Sequence, residues 1–190
     1  MSWISTVAPA DAEGELAMLY QRLGAKGSVD HILQAHSLRP HTLEGHLALY
    51  RSVLHHPRNR LDRAFAEALG VYVSRINACD YCIAHHEAGL KRELQDGTRF
   101  QAWRQALISG AFDTVFDARQ RRALDWADLL TRTPGRARKH DIQALREAGW
   151  DDGEILEINQ VVAYFNYANR TVLGLGVSTE GEGRPGLPTT

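Results

Sequence analysis

The sequence is poor in cysteine, nearly balanced in charge, and without a long apolar run. Its 22 Lys and Arg residues against 23 Asp and Glu residues give a formal net charge of −1, so there is no electrostatic case for a nucleic-acid partner. No apolar stretch approaches the roughly 18–20 residues needed to cross a bilayer. The N-terminus also lacks the basic region and apolar run of a signal peptide. We therefore expect a cytoplasmic protein with no membrane partner.

Strand-like alternation is scarce as well, and helical periodicity dominates the chain. Apolar residues recurring at steps of three and four predict helices at about 9–24, 30–36, 40–56, 60–76, 79–94, 98–109, 117–130, 141–148 and 151–173. No linker divides these helices. The predicted fold class is therefore all-α, a helical bundle forming one domain over residues 1–176. The Gly- and Pro-rich residues 177–190 are predicted to be a flexible C-terminal tail.

The only two cysteines lie three positions apart, in a stretch that ends with two adjacent histidines. In a helix, Cys79, Cys82 and His86 share one face within about two turns. Tyr81 and His85 are expected to face away from it. In a reducing compartment, two cysteines at this spacing are typical of catalysis, redox sensing or metal binding rather than of a structural disulfide.

An acidic residue in the preceding helix is a candidate partner for this face. If the two helices form an antiparallel pair that turns near Asn77, Glu67 and His86 each lie roughly 13–15 Å from the turn and come side by side. The neighbours of Glu67 in the sequence are apolar. A carboxylate among apolar residues costs stability unless it has a partner, and the imidazole of His86 would be one.

These residue types suit cysteine-based peroxide reduction. The nucleophile is a thiolate, and His86, one turn beyond Cys82, is placed to take its proton while Glu67 orients the imidazole. Proximity to this base favours Cys82 as the attacking residue, whereas the helix dipole favours a thiolate on Cys79. The residues alone leave both assignments open. In either case the second thiol can condense with the sulfenic acid to give a disulfide.

Two other functions fit the same residues. Cys79, Cys82 and one of the adjacent histidines are ligand types that suit zinc, which would make the protein a non-catalytic metal-binding or redox-sensing module. One helix cannot surround a tetrahedral ion, however, and the other histidines of the first half are spaced mostly by five, which keeps no single helix face. We therefore predict no metal. The second alternative is a dithiol–disulfide oxidoreductase.

The motif resembles a known family signature. The spacing of four residues resembles the pattern of the alkylhydroperoxidase D / carboxymuconolactone decarboxylase superfamily. Eleven residues separate Glu67 from Cys79, two separate Cys79 from Cys82, and three separate Cys82 from His86. The sequence of residues 79–86 is similar to the corresponding segment in the peroxidase-related branch of this superfamily. The resemblance implies an all-helical fold with the cysteine pair at the N-terminus of a central helix. It also implies Cys82 as the peroxidatic cysteine, Cys79 as the resolving one, and Glu67 and His86 as the proton relay.

The resemblance further implies a hydroperoxide substrate, no bound cofactor, and an external dithiol reductant of lipoyl or thioredoxin type. Family members are commonly homo-oligomers, as dimers, trimers or hexamers. One position departs from the family pattern, because the best-known peroxidase members carry a histidine where this sequence has Tyr81. A phenol with a pKa near 10 cannot serve as a base near neutral pH. The relay is therefore expected to depend on His86 and Glu67, with His85 a geometrically awkward substitute.

Overall fold

The structure, a computed structural model, describes residues 1–23 and 29–182. In these two ranges every regular element is helical, which confirms the predicted all-α class. None of these helices is both long and apolar enough to span a membrane. The α-helices are α1 (Gly14–Arg22), α2 (His31–Gln34), α3 (Pro40–Tyr50), α4 (Arg63–Ile76), α5 (Asp80–Leu94), α6 (Gly97–Ser109), α7 (Ala118–Arg132), α8 (Lys139–Glu147) and α9 (Asp152–Leu175).

Most helix ends lie within a few residues of their predicted positions. The helix predicted over 40–56 is the main exception, because α3 ends at Tyr50 and a π-helical turn follows over Arg51–His55. A π turn leaves carbonyl groups without their usual α-helical partners. The side-chain amide of Asn59 donates to two of them, the carbonyls of Ser52 and Val53, at 3.1 and 2.8 Å. The predicted end of the first helix at Gly24 lies outside the described residues.

Helix α4 is the buried element around which the others pack. Ten of its fourteen residues are buried, and α5, α6, α7 and α9 surround it. Small residues allow the close contacts. A Cβ added at Gly70 would lie 2.1 Å from the ring of Phe165 on α9, so the ring rests directly on the α4 backbone. This contact fixes the distance between the helices that border the site described below.

The connection between α4 and α5 places the cysteines. Ala78 adopts a left-handed conformation with a φ of +54°, and Cys79 is the N-cap residue of α5. The side-chain amide of Asn77 donates to the side chains of Asn166 and Asn169 on α9, at 3.0 and 2.9 Å. This turn is therefore held against α9 while α5 returns along α4, as the spacing of Glu67 and His86 requires.

The first residues of the predicted flexible tail are packed against the domain. Val177 is buried in a small apolar cluster that contains both cysteines. The backbone N–H of Ser178 donates to the carbonyl of Met1, at 2.9 Å, and Glu182 enters the pocket region. The described residues 177–182 form no helix, but composition cannot reveal tertiary contacts of this kind. Residues 183–190 of the predicted tail lie outside the described residues.

Candidate active site

A pocket of about 610 Å³, open to solvent, lies where α4, α5 and α9 meet α2 and α3. Its wall includes Cys82, His86 and Glu67, so three of the four predicted site residues border one cavity. The fourth, Cys79, is fully buried behind Cys82. Three tyrosines also border the pocket: Tyr50, Tyr81 and Tyr164.

The two cysteines are free thiols in contact with one another. Their Sγ atoms lie 2.7 Å apart and share a hydrogen bond. Only a small movement separates this arrangement from disulfide geometry. The hydrogen bond with Cys82 lowers the pKa of Cys79, although burial opposes the effect. The same hydrogen bond, together with burial, raises the pKa of Cys82. Of the two sulfurs, Cys79 therefore more readily carries the negative charge of a thiolate, whereas Cys82 is the one that a substrate in the pocket can reach.

Glu67 and His86 form a close pair across the α4–α5 interface. Nδ1 of His86 lies 2.7 Å from Oε2 of Glu67, whose side chain is only 4% exposed. Two features hold the pair in place. A Cβ at Gly89 would lie 2.6 Å from Oε1 of Glu67, so the carboxylate occupies space that only a glycine leaves open. The ring of Phe165 meets that of His86 edge-on, with 4.4 Å between centroids. With Nδ1 engaged, Nε2 of His86 is left to exchange protons.

The expectation that Tyr81 and His85 face away from the site is wrong. Both border the pocket, and their rings stack with 4.3 Å between centroids. Counting helix faces treats the site as the single face that carries Cys82 and His86. The pocket instead continues around the first two turns of α5, because Asp30 and the start of α2 close its other side. His85 is therefore a buried side chain of the site rather than a surface residue.

The sequence does not predict the two carboxylates that lie beside His85. Oε2 of Glu182 lies 2.8 Å from Nε2 of His85, and Asp30 lies 3.8 Å from Nδ1 of the same ring. Oε1 of Glu182 accepts from the hydroxyl of Tyr81, at 2.8 Å, and from the backbone N–H of His31. Burial opposes ionisation of Glu182, but hydrogen bonds from His85, His31 and Tyr81 hold its pKa below the usual range. A glutamate between the glycines of a tail offers no sequence signal for this role.

The histidines of the first half of the chain do not assemble a metal centre in the described ranges. No group of three or more His, Cys, Asp or Glu side chains suited to a metal ion is found in residues 1–23 and 29–182. His46 borders the pocket and lies 3.4 Å from the hydroxyl of Tyr164. Burial, with a smaller contribution from the neighbouring His36, lowers the pKa of His46 to about 4. This imidazole is therefore neutral near pH 7.

Comparisons with known proteins bear on this geometry. No family model and no curated protein matches the sequence. Solved structures do match. An uncharacterised peroxidase-related protein from Silicibacter sp. TM1040 is 27% identical, with a TM-score of 0.72 over 86% of this chain and 81% of that one. A peroxidase-related protein from Ralstonia eutropha JMP134, described as an alkylhydroperoxidase AhpD core, is 21% identical, with a TM-score of 0.79 over 93% and 91%.

A third neighbour has a different described activity. It is the debrominase Bmp8 in complex with 2,3,4-tribromopyrrole, 17% identical, with a TM-score of 0.70 over 94% of this chain and 93% of that one. The fold that these proteins share is the alkylhydroperoxidase D type of helical bundle. The two peroxidase-related neighbours support the resemblance to the alkylhydroperoxidase D / carboxymuconolactone decarboxylase superfamily that the motif over residues 67–86 carries.

Proposed function

We propose that the protein is a thiol-dependent hydroperoxide reductase that uses Cys82 and Cys79 as its redox pair. The observation that supports this most is the convergence of Cys82 and the Glu67–His86 pair on one pocket, with the sulfur of Cys79 2.7 Å behind that of Cys82. This supplies a nucleophile, a base with an orienting carboxylate, and a second thiol. The chemistry needs no bound cofactor.

In the first step, His86 takes the proton of Cys82, and Glu67 holds the imidazole in position. The thiolate attacks the outer oxygen of the hydroperoxide. A bond forms between sulfur and that oxygen, the O–O bond breaks, and the inner oxygen leaves with a proton as an alcohol. Cys82 is thereby oxidised to a sulfenic acid and the peroxide is reduced.

In the second step, the thiol of Cys79 attacks the sulfenic sulfur of Cys82. A disulfide forms and one water leaves, which carries the sulfenic oxygen and the proton of Cys79. An external dithiol of lipoyl or thioredoxin type then reduces this disulfide by exchange, and is itself oxidised to a disulfide. That reductant, like assembly into a homo-oligomer, stays a prediction from the family resemblance.

We assign the attack to Cys82 because a peroxide in the pocket meets that sulfur first. The hydrogen bond between the thiols favours the charge on Cys79, but the two groups share a proton and titrate as a pair. Moving the proton along that hydrogen bond transfers the charge to Cys82. Proton transfer cannot overcome the burial of Cys79, which keeps a substrate from reaching its sulfur.

The test measures consumption of cumene hydroperoxide by the reduced protein with dihydrolipoamide. Cys82→Ser is expected to lower the rate by at least about 100-fold, since the nucleophile is gone. With the dithiol removed, Cys79→Ser is expected to reduce about one equivalent of peroxide and to hold a sulfenic acid on Cys82, because no intramolecular disulfide can form. Unchanged consumption by Cys82→Ser contradicts the proposal. A faster reaction of the wild type with lipoamide disulfide than with peroxide favours the dithiol–disulfide oxidoreductase instead.

A second candidate function, thiol-dependent removal of bromide from an aromatic ring, is favoured by the three tyrosines that border the pocket and by the debrominase neighbour. Two thiols and an aryl bromide would give the unsubstituted ring, hydrogen bromide and the Cys79–Cys82 disulfide. Incubation of the reduced protein with a bromopyrrole tests this candidate. Release of bromide with matching thiol loss supports it, and intact substrate excludes it.

A further inference from the structure

We infer that His85 donates the proton to the leaving oxygen of the hydroperoxide, and that Glu182 positions His85 for this step. The inference rests on the proposed function and adds a second proton-transfer pair to the same pocket. His85 borders the cavity one turn after Cys82, yet the mechanism above gives it no role. Its partner Glu182 comes from a segment with no other evident task.

The carboxylate of Glu182 is both buried and held by several hydrogen bonds. Its side chain is 3% exposed, and burying a carboxylate costs several kcal/mol unless hydrogen bonds compensate. Three donors converge on it, namely His85, Tyr81 and the backbone N–H of His31. Tyr81 in turn accepts from the backbone N–H of Ile32, at 3.2 Å, which fixes the phenol. The result is a rigid carboxylate aimed at one nitrogen of His85.

The geometry also selects the nitrogen that delivers the proton. Nε2 of His85 is engaged by Glu182 at 2.8 Å. Nδ1 lies 3.8 Å from the carboxylate of Asp30, which is beyond hydrogen-bond distance. Nδ1 is therefore the nitrogen available to a substrate. Around the ring, the titratable groups are Glu182, Asp30 and the stacked Tyr81, with His86 and Arg92 further along the pocket wall. His31 lies behind Glu182.

Reduction of a hydroperoxide requires a proton donor at the leaving oxygen. Cleavage of the O–O bond of an alkyl hydroperoxide releases an alkoxide, a strong base that must gain a proton as the bond breaks. The balanced step is thiolate plus hydroperoxide plus protonated His85, giving sulfenic acid, alcohol and neutral His85. Solvent then returns a proton to His85, and His86 passes the proton of Cys82 to solvent. In this arrangement His85 supplies the second imidazole that the family pattern would place at Tyr81.

The test compares two oxidants in single turnovers of the prereduced protein, with thiol loss as the readout. tert-Butyl hydroperoxide has an alkoxide leaving group, whereas peracetic acid releases a carboxylate that needs no proton near neutral pH. His85→Gln and Glu182→Gln are expected to slow the reaction with tert-butyl hydroperoxide by at least about tenfold. Both variants should react with peracetic acid within about twofold of the wild type. Glu180→Gln, an exposed change in the same segment, is the matched control.

The pH profile of alkylation by iodoacetamide gives a second readout. It reports thiolate formation, which depends on His86, and is expected to be unchanged in both variants. The inference is overturned if His85→Gln reacts with tert-butyl hydroperoxide at the wild-type rate, or if it is slowed equally with both oxidants. A wild type that reacts with neither oxidant overturns the proposed function instead, so the two failures are distinguishable.

Discussion

Two carboxylate–imidazole pairs border the same pocket, and they are built in different ways. Glu67 and His86 lie 19 residues apart, on helices joined by a short turn. Glu182 and His85 lie 97 residues apart, and the carboxylate comes from the non-helical segment after α9. The contact distances are nearly equal, at 2.7 and 2.8 Å. Equal local geometry thus arises once from helix packing and once from docking of a segment.

The two constructions are expected to differ in how easily they open. The Glu67–His86 pair is embedded in the α4–α5 interface, where separation would require unpacking buried helices. The segment that carries Glu182 has few buried apolar contacts, chiefly those of Val177, and is held otherwise by hydrogen bonds at Ser178, Glu180 and Glu182. Local opening requires the least free energy where buried apolar contacts are few. The pair of Glu182 is therefore the more easily lost of the two.

Removing the charge of Glu67 is the largest test of this comparison. Glu67→Gln is expected to slow thiol oxidation on the order of 10³-fold, because His86 loses the carboxylate that orients it. Unlike Glu182→Gln, it should slow the reactions with tert-butyl hydroperoxide and peracetic acid alike, and it should reduce alkylation of Cys82. Single-turnover thiol loss measures the effect. Glu154→Gln, which changes a buried glutamate paired with Arg119, is the control. Equal rates for Glu67→Gln and this control would remove Glu67 from the relay.

The space left by Gly89 gives the next test. In Gly89→Ala the added methyl would lie 2.6 Å from Oε1 of Glu67, so the carboxylate must move away from His86. Displacement of a positioned group by about 1 Å costs about 100-fold in rate. The expected result is a loss of this size in peroxide reduction. Gly45→Ala on α3 is the matched control, since nothing lies within 4 Å of its added Cβ and alanine favours a helix. Full activity of Gly89→Ala would show that the pair tolerates displacement.

His46 shows how a buried imidazole behaves without a carboxylate, and its expected effect is the smallest. Its folded-state pKa of about 4 lies below the unfolded value of 6.5. The unfolded state therefore binds the proton first as the pH falls, and stability is lost between about pH 6.5 and 4. At pH 5 the loss is about 2 kcal/mol relative to pH 7.5.

Denaturant unfolding at the two pH values measures this loss. In His46→Gln the decrease between pH 7.5 and 5 should be smaller than in the wild type by about 2 kcal/mol. His140→Gln, which changes a histidine whose side chain is 81% exposed, should keep the wild-type pH dependence. An unchanged decrease in His46→Gln would show that this imidazole is not held neutral by burial.

The parts of the site that the sequence predicts are those that helix geometry determines. The periodicity of α4 and α5, with a turn near Asn77, brings Glu67 beside His86 from counting alone. The positions predicted for Tyr81 and His85 are wrong because residue spacing gives the face of a helix but not what packs against that face. Glu182 could not be predicted at all, since its position depends on tertiary contacts of a segment without periodicity.

The unequal burial of the two sulfurs also has a consequence for regeneration. In the proposed cycle an external dithiol would reach the oxidised pair through the pocket and attack the sulfur of Cys82, which would make Cys79 the departing thiolate. Thiol exchange is faster when the departing sulfur has a low pKa. Cys79 is the N-cap residue of α5, where the positive end of the helix dipole favours its thiolate, so burial keeps this residue from the peroxide while its position suits it to depart. In the proposed function, one asymmetry between two sulfurs would set the direction of both halves of the catalytic cycle.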